Sequence, residues 1–326
     1  MIKVGTEGIQ AIKVGTEDYI KAYQGDTLVW SKNEHVYTAL TCEYRILTAG
    51  TYQICSESAA AQQETIIVDG AEVPSTTALT FDVGTHEVEF TGMVTEVHYF
   101  DFSNLSHLVY VHFPSTMHSL GQYAFSNCIN LEHADLSETD VVAVNYNCFE
   151  GCTSLKEIKM ASGETQVYAW VYGGCRSVSS VTFSDSITAI RNRAFMDIGR
   201  NNHDGLQITI PSGVTLIDHL AFYNAKIIYL GLNDGLQTIG NYAFYNIYPP
   251  DIIIPSSVTS IGEGAFSELG SSWVRFEGTT PPVCGEKIFG GRITPWGFPD
   301  GIQVPAASVE AYKTALPEYA DQIVGY

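Results

Sequence analysis

Nine aromatic residues recur along the chain at intervals of 23, 24, 23, 23, 27, 22, 22 and 23 residues. This regularity is typical of repeat proteins, in which one short unit is stacked many times. A coil of this length cannot bury its own apolar side, so each coil needs the next one and the region must form an elongated solenoid. The aromatic anchors are Phe102, Phe125, Phe149, Tyr172, Phe195, Phe222, Phe244, Phe266 and Phe289.

Further apolar positions keep a fixed register to the anchors. Five anchors follow an alanine, and Cys148 takes the same place before Phe149. An aliphatic residue lies four positions before that small residue and another lies three positions earlier, so we expect two core columns and units built from a strand, a turn and a short return segment. The columns are Leu120, Val144, Ile190, Ile217, Ile239 and Ile261, and Met117, Val141, Ile187, Val214, Leu236 and Val258.

The run from Ile254 to Phe266, IPSSVTSIGEGAF, resembles the repeat of BspA-like leucine-rich repeat proteins, and the run from Phe149 to Leu155, FEGCTSL, resembles its other half. The resemblance covers the chain from Phe102 to the C terminus. It implies a mainly β leucine-rich repeat solenoid at residues 102–302 and, as the role usually attached to this family, a bacterial cell-surface adhesin. At roughly 4.8 Å per stacked strand, eight intervals predict a rod or gentle arc about 38 Å long.

Residues 303–326 are predicted to close the solenoid with a short helical cap. The run from Val304 to Lys313 resembles the closing helix of such arrays. Physical reasoning agrees, because Ser308 is a suitable helix cap, Pro317 is a suitable stop, and one face would carry the side chains Val309, Tyr312 and Ala315.

The first 34 residues are predicted to form a β arm for docking or oligomerisation. The sequence IKVGTE occurs twice, and the alternating stretch from Tyr19 to Trp30 around Gly25-Asp26 predicts a hairpin. The stretch also resembles N-terminal segments of virion proteins from phages that infect gut bacteria. An arm too small to fold alone suits docking on another chain, although a pair of edge strands packed on the next domain is the alternative. The candidate docking residues are Ile2, Val4, Ile12, Val14, Tyr23 and Trp30.

Residues 35–101 are predicted to form a compact β-sandwich of antiparallel strands. The predicted strands are 50–55, 65–68, 78–83 and 86–90, with turns at Gly70 and Gly84. No flexible linker separates this region from Phe102, so we expect it to cap the N-terminal end of the solenoid.

Charge and targeting signals narrow the classes of partner. Sixteen basic and 36 acidic residues give a formal charge of −20, which opposes binding to nucleic acids and to anionic lipid surfaces. We see no secretory leader, apolar run of membrane-spanning length or lipidation motif, so the chain is interpreted as a cytoplasmic translation product without membrane insertion.

Of the seven cysteines, four show no redox or zinc spacing, namely Cys42, Cys55, Cys148 and Cys284. Cys128, Cys152 and Cys175 each lie three residues after an anchor, so they should stack in neighbouring coils. We interpret them as a column of small buried thiols, with a disulfide as the alternative.

Catalysis has little support in the sequence. It contains no serine-hydrolase, metalloprotease, nucleotide-binding or dinucleotide-binding motif, and we assign no catalytic, cofactor-binding or metal-binding residue. Glu263 and Glu268 are a remote candidate for a glycosidase pair, since that chemistry needs two carboxyls across a sugar. A second remote candidate is a metal site built from His98, His107, His112, His118 and His133.

Exposed tyrosines are the better sign of binding, because tyrosine offers contact area and a hydroxyl group. The candidate surface consists of Tyr223, Tyr229, Tyr242, Tyr245 and Tyr248, although such residues also complete repeat cores. Our first hypothesis is a non-enzymatic phage virion protein, such as a fibre, decoration protein or receptor-binding adhesin. Its arm would bind other virion proteins or form a homo-oligomer, and its solenoid would bind a host glycan or protein. The alternatives are the cell-surface adhesin and, remotely, a polysaccharide-active enzyme.

Overall fold

Two rows of parallel strands, joined by tight turns, dominate the computed structural model, which describes residues 10–14, 17–24, 27–32, 38–270, 273–290 and 301–326. Only the backbone is described in the first three ranges. The mainly β fold class predicted above, a repeat solenoid closed by a short C-terminal helix, is confirmed.

The first three ranges form a three-stranded antiparallel sheet, with the strands side by side in chain order. The predicted hairpin is present, with Gln24 opposite Thr27, and its turn residues Gly25 and Asp26 lie outside the described residues. The first copy of the IKVGTE repeat, with Ile2 and Val4, also lies outside them. The strands are β1 (Gln10–Val14), β2 (Glu17–Gln24) and β3 (Thr27–Lys32).

The next region combines a four-stranded antiparallel sheet with a separate antiparallel pair, formed by the strands at 50–53 and 78–81. The strands at 40–46 and 71–74 were not predicted from the sequence. Ser56 caps the short helix by accepting a hydrogen bond from the Ala59 amide at 3.1 Å. The elements are β4 (Leu40–Ile46), β5 (Gly50–Gln53), α1 (Glu57–Ala61), β6 (Thr65–Val68), β7 (Ala71–Pro74), β8 (Ala78–Phe81) and β9 (Gly84–Phe90).

Each solenoid coil contributes one strand to each of two rows. The two-residue strands are β10 (Glu96–Val97), β12 (Ser119–Leu120), β14 (Ala143–Val144), β16 (Gln166–Val167), β18 (Ala189–Ile190), β20 (Leu216–Ile217), β22 (Thr238–Ile239), β24 (Ser260–Ile261) and β26 (Val283–Cys284). The longer strands are β11 (Leu108–His112), β13 (His133–Asp135), β15 (Glu157–Lys159), β17 (Ser180–Thr182), β19 (Leu206–Thr209), β21 (Ile227–Gly231), β23 (Asp251–Ile254), β25 (Trp273–Phe276) and β27 (Ile302–Val304).

The N-terminal sheet and the solenoid share one continuous sheet. Strand β4 pairs antiparallel with β11, so the order runs β17-β15-β13-β11-β4-β9-β6-β7. Asp101, fully buried beside the first anchor, accepts hydrogen bonds from the Ser56 hydroxyl at 3.1 Å and from the side-chain amide of Gln62 at 3.2 Å. Strand pairing and a satisfied buried carboxylate therefore join the first coil to the region before it.

The C-terminal end is closed by α2 (Val309–Ala315), 3-10 turns at Ala306–Ser308 and Pro317–Gln322, and β28 (Ile323–Gly325), which pairs with β27. Two details of the prediction were wrong. The Ser308 hydroxyl does not cap the helix, because it donates to the Thr279 carbonyl at 2.7 Å. Ala315 is exposed, and the adjacent Leu316 is buried in its place.

The anchors form a ladder of parallel rings through the solenoid core. All nine are at most 3% exposed. From Phe102 to Phe266 the centroids of successive rings lie 5.1–5.7 Å apart, and the rings are tilted by no more than 12°. Both aliphatic columns are also buried, as predicted.

Two coils depart from the aliphatic pattern. Counting eight residues back from each anchor gives Met117 or Val141 in early coils and Ile187 or Val214 in later ones, but Pro281 in the coil of Phe289 and Glu164 in the coil of Tyr172. Glu164 is 1% exposed, and its Oε1 accepts a hydrogen bond from the Ala161 amide at 2.9 Å. Burial raises the pKa of this carboxyl to about 7, although the Ala161 amide opposes the shift.

The cysteine column is confirmed as buried free thiols. Each thiol donates to the backbone carbonyl of the anchor in the preceding coil: Cys128 to Phe102 at 2.9 Å, Cys152 to Phe125 at 3.2 Å and Cys175 to Phe149 at 3.3 Å. These bonds tie neighbouring coils together inside the core.

We expect iodoacetamide to leave Cys128, Cys152 and Cys175 unmodified in the native protein and to modify all seven cysteines in guanidinium. The thiolate is the reactive form, and burial both blocks access and raises the pKa of Cys128 to about 12. Peptide mass spectrometry after timed alkylation measures this, with the partly exposed Cys284 as the internal comparison. Native modification of Cys152 at the rate seen for Cys284 would contradict the buried column.

Candidate recognition surface

The turns around the first eight anchors each contain two left-handed residues. In these turns the residue two positions after the anchor is Asn, Gly, Asp or Glu, as at Asn127 and Gly151. The residue two positions before it has φ between 51° and 62° in all nine described coils, although most of these residues are large. Such φ values are unusual for side chains of this size, and their regular recurrence means that the repeat geometry imposes them.

Backbone hydrogen bonds between coils explain why this conformation persists. The amides of Tyr123, Phe125 and Asn127 donate to the carbonyls of Tyr146, Cys148 and Glu150 in the next coil, at 3.1, 2.9 and 2.7 Å. Alternate amides of the turns thus point along the solenoid axis, and their hydrogen bonds connect each turn to the next.

We call the surface that carries the left-handed residues before the anchors the anchor-turn face. All of its members except Gly264 keep part of their surface in solvent. They are Phe100, Tyr123, Asn147, Trp170, Arg193, Leu220, Tyr242, Gly264 and Lys287.

Aromatic side chains concentrate on the anchor-turn face and its border. Near its N-terminal end, Phe100 stacks on Tyr123 with ring centroids 4.8 Å apart, and the neighbouring Tyr99 meets Phe100 edge-on at 4.1 Å. Tyr99 and Phe100 are 52% and 40% exposed. Further along, the Arg193 guanidinium lies 5.3 Å from the centroid of the Trp170 ring. Exposed rings grouped in this way are common at binding surfaces.

The structure brings together three of the five candidate tyrosines. Tyr223, Tyr242 and Tyr245 line one open concavity with a volume of about 550 Å³, which we call the tyrosine cleft. Tyr229 and Tyr248 are exposed but do not line it. The remaining lining residues are Arg193, Met196, His219 and Leu220.

The walls of the tyrosine cleft are ordered by ring contacts. Tyr223 and Tyr245 occupy equivalent positions in neighbouring coils and stack at 4.6 Å with a tilt of 6°. Tyr242 meets Tyr245 edge-on at 6.2 Å and meets the His219 ring edge-on at 6.5 Å. The cleft thus offers two flat aromatic walls that meet at an angle.

Polar groups at the cleft have few partners within the protein. The Tyr242 hydroxyl donates to Glu263 Oε1 at 2.5 Å, and this bond raises the tyrosine pKa, while partial burial raises that of Tyr245. Arg193 Nη1 donates to Asn192 Oδ1 at 2.9 Å, and among the described residues no carboxylate lies within ion-pair distance of Arg193. His219 Nδ1 is buried without a hydrogen-bond partner.

The remote catalytic and metal hypotheses gain no geometric support. Glu263 and Glu268 are both exposed, whereas a glycosidase acid needs a sheltered carboxyl. Within the described ranges no group of three or more His, Cys, Asp or Glu side chains is arranged to hold a metal ion. Two of the proposed histidine ligands have separate partners: His112 Nε2 is hydrogen-bonded to Glu43 Oε1 at 2.8 Å, and the His133 ring stacks on the Tyr110 ring with centroids 4.4 Å apart.

Of the candidate docking residues, Ile12 and Val14 lie on β1, Tyr23 on β2 and Trp30 on β3. The docking role of the arm stays a prediction. Across the described ranges, no helix has the length and apolar character needed to span a bilayer.

Comparison with known proteins identifies the repeat. The BspA type leucine rich repeat region matches residues 82–202 and 200–275, in six copies. The chain belongs to the BspA-type leucine-rich repeat family. This is a family of repeat proteins rather than of enzymes. No curated protein matches the chain.

Three solved structures resemble this BspA-type protein. They are a leucine-rich repeat protein from Bacteroides ovatus ATCC 8483 (19% identity, TM-score 0.48, covering 69% of this chain and 61% of that one), a leucine rich cell surface protein from Faecalibacterium prausnitzii A2-165 (20%, 0.41, 87% and 75%) and the pneumococcal vaccine antigen PcpA (13%, 0.29, 98% and 100%). The chain spans about three fifths of the length of the first.

Sequence reasoning missed Arg193 and His219 as neighbours of the tyrosines. A signal was present, since Arg193, Leu220 and Tyr242 all lie two residues before an anchor and Tyr223 and Tyr245 lie one residue after. Aligning the coils on their anchors would have placed these side chains along one edge.

Proposed function

We propose that this BspA-type protein is a non-catalytic recognition protein that acts as an adhesin at a bacterial cell surface. The observation that carries the proposal is the anchor-turn face, where an imposed left-handed backbone holds large side chains at the protein surface in successive coils. Because the core is filled by the anchors and aliphatic columns, these side chains are available for contact with a partner.

The net charge and the exposure of the candidate acids favour a recognition protein over a nucleic-acid-binding protein or a glycosidase. A formal charge of −20 opposes polyanionic partners such as nucleic acid. Adhesion is the role usually attached to this family, which is in keeping with recognition, and the exposed carboxylates Glu263 and Glu268 do not suit acid catalysis.

Binding of fluorescently labelled protein to mucin-coated surfaces and cultured epithelial cells tests the proposal. We expect saturable binding that an excess of unlabelled protein displaces. A double variant, Tyr99→Ser with Phe100→Asn, should weaken binding, since asparagine accepts the left-handed conformation while the exposed rings are removed. Ile253→Thr, which changes a 42% exposed apolar residue on β23, is the matched control. Non-saturable binding that is equal for all three proteins would overturn the proposal.

A second candidate, a phage virion component, depends on the three-stranded arm. Strands β1–β3 pair only with one another within the described ranges, and small isolated sheets usually need a partner for stability. The arm would attach to other virion proteins or to further copies of the chain. Light scattering on the full chain and on a chain lacking residues 1–34 tests this, because an oligomer that becomes monomeric on truncation is expected for an assembly arm. A monomer in both cases would argue against self-assembly through the arm.

A further inference from the structure

We propose that the tyrosine cleft binds a carboxylate-bearing sugar residue, of the uronic or sialic acid class, within a glycan. This inference rests on the proposed recognition function and names the chemistry of its ligand. It combines two features of the cleft: two aromatic walls and an arginine that has no ion pair among the described residues.

The aromatic walls suit a sugar ring. One face of a pyranose presents C–H groups that pack on the π face of an aromatic residue, while its edges carry hydroxyl groups. The stacked pair Tyr223 and Tyr245 supplies a flat surface, and Tyr242 closes one side at a steep angle. The volume of about 550 Å³ lies within the usual range of small-molecule sites, and the open shape admits one residue of a longer chain.

Arg193 supplies the charge that a neutral sugar would not need. Its guanidinium carbon lies 5.3 Å from the centroid of the Trp170 ring, and Nη1 donates a hydrogen bond to Asn192 Oδ1. These two contacts orient the guanidinium, and neither of them neutralises its charge. By contrast Arg176, one coil earlier, lies 3.6 Å from Asp197 Oδ2. A fixed guanidinium fits a carboxylate with two parallel hydrogen bonds, so it selects for a ligand with that group.

The polar groups of the cleft suit the hydroxyl groups of a sugar. The Arg193 guanidinium only donates hydrogen bonds. The Tyr242 hydroxyl is a further polar group at the cleft, already bonded to Glu263. Sugar hydroxyls, which both donate and accept, complement such a mixed set of groups.

The surrounding charge limits the ligand to one or few carboxylates. With 36 acidic and 16 basic residues, the protein as a whole repels dense polyanions. Glu263 at the edge of the cleft adds local repulsion. An isolated acidic sugar therefore fits better than a heavily sulfated chain or a nucleic acid.

Titration of the full chain with methyl β-D-glucuronide, methyl β-D-glucoside and the methyl α-glycoside of N-acetylneuraminic acid, followed by NMR, tests the proposal. We expect at least one acidic sugar to bind at least fivefold more tightly than the glucoside. Arg193→Gln should remove this preference, Arg193→Lys should keep part of it, and Tyr245→Ala should weaken binding of the acidic sugar at least tenfold. Arg176→Gln and Tyr248→Ala, which change residues outside the cleft lining, are the matched controls.

Equal affinity for the acidic sugars and the glucoside, no binding of any of them, or an unchanged preference in Arg193→Gln would overturn the inference. Circular dichroism melts of each variant separate a lost contact from lost folding. The outcome is distinguishable from failure of the proposed function. Saturable binding to mucin without any preference for acidic sugars removes only the cleft inference, whereas acidic-sugar binding without surface binding removes only the adhesin proposal.

Discussion

Replacing Phe222 by alanine is expected to lower the free energy of unfolding by about 3–5 kcal/mol, the usual cost of removing a buried aromatic ring. Phe222 is fully buried, and its ring centroid lies 5.1 Å from that of Phe195 and 5.3 Å from that of Phe244. The cavity would interrupt the ladder in the middle of the solenoid. Because repeat proteins are stabilised by contacts between nearest neighbours, we also expect unfolding to become less cooperative.

Guanidinium titrations followed by circular dichroism and tryptophan fluorescence measure this effect. The matched control is Tyr229→Ala, since Tyr229 is 48% exposed and its loss should change stability by no more than about 0.5 kcal/mol. A loss below about 1 kcal/mol for Phe222→Ala would contradict the stabilising role that we assign to the ladder of rings.

Replacing Glu164 by glutamine is expected to stabilise the protein above pH 7. Burial raises the Glu164 pKa from its ordinary value of 4.5 to about 7, so folding disfavours the charged form. The stability associated with the protonated carboxyl is fully present below pH 4.5 and is lost as the pH rises through about 7. The rise in the Glu164 pKa corresponds to a loss of roughly 3 kcal/mol in the free energy of unfolding at pH 8. Glutamine has the same shape and keeps an oxygen for the Ala161 amide.

The distinguishing measurement is the pH dependence of chemical denaturation between pH 4 and pH 8.5. The wild type should lose stability across this range relative to Glu164→Gln, and the two curves should converge at the acidic end. Glu138→Gln, at an exposed position, is the control for removing one negative charge. Parallel curves for wild type and Glu164→Gln would show that the carboxylate is accommodated without cost.

The repeat architecture was predictable because its determinant is periodic. Phe222 could be assigned to the core from its spacing alone, since a residue repeated every coil must occupy the same place in each coil. The cysteine column followed from the same logic. Glu164 was not predicted, because the coil of Tyr172 lacks the small residue that marked the register elsewhere and a carboxylate is not expected at an aliphatic position.

Long-range contacts account for the other differences. The pairing of β4 with β11 merges the N-terminal sheet with the solenoid, and no local pattern specifies such pairing between segments far apart in the chain. The Ser308 hydroxyl had a plausible local role as a helix cap, but the Thr279 carbonyl of another coil competes for it. A side chain that could bond its own neighbouring backbone will instead bond a distant residue when the fold places that residue closer.

The sequence by itself determined the number and order of coils, the anchors and aliphatic columns that fill them, and the family to which the chain belongs. The tertiary structure decided which surface residues meet. Arg193, Tyr223 and Tyr242 come from three different coils, and they line one cleft because each adjoins an anchor in a turn whose backbone conformation is repeated. The repeat period identifies the residues on the buried side of a coil, because that side needs apolar contacts in every coil. Which residues meet on the exposed side depends on turn geometry and on the stacking of neighbouring coils.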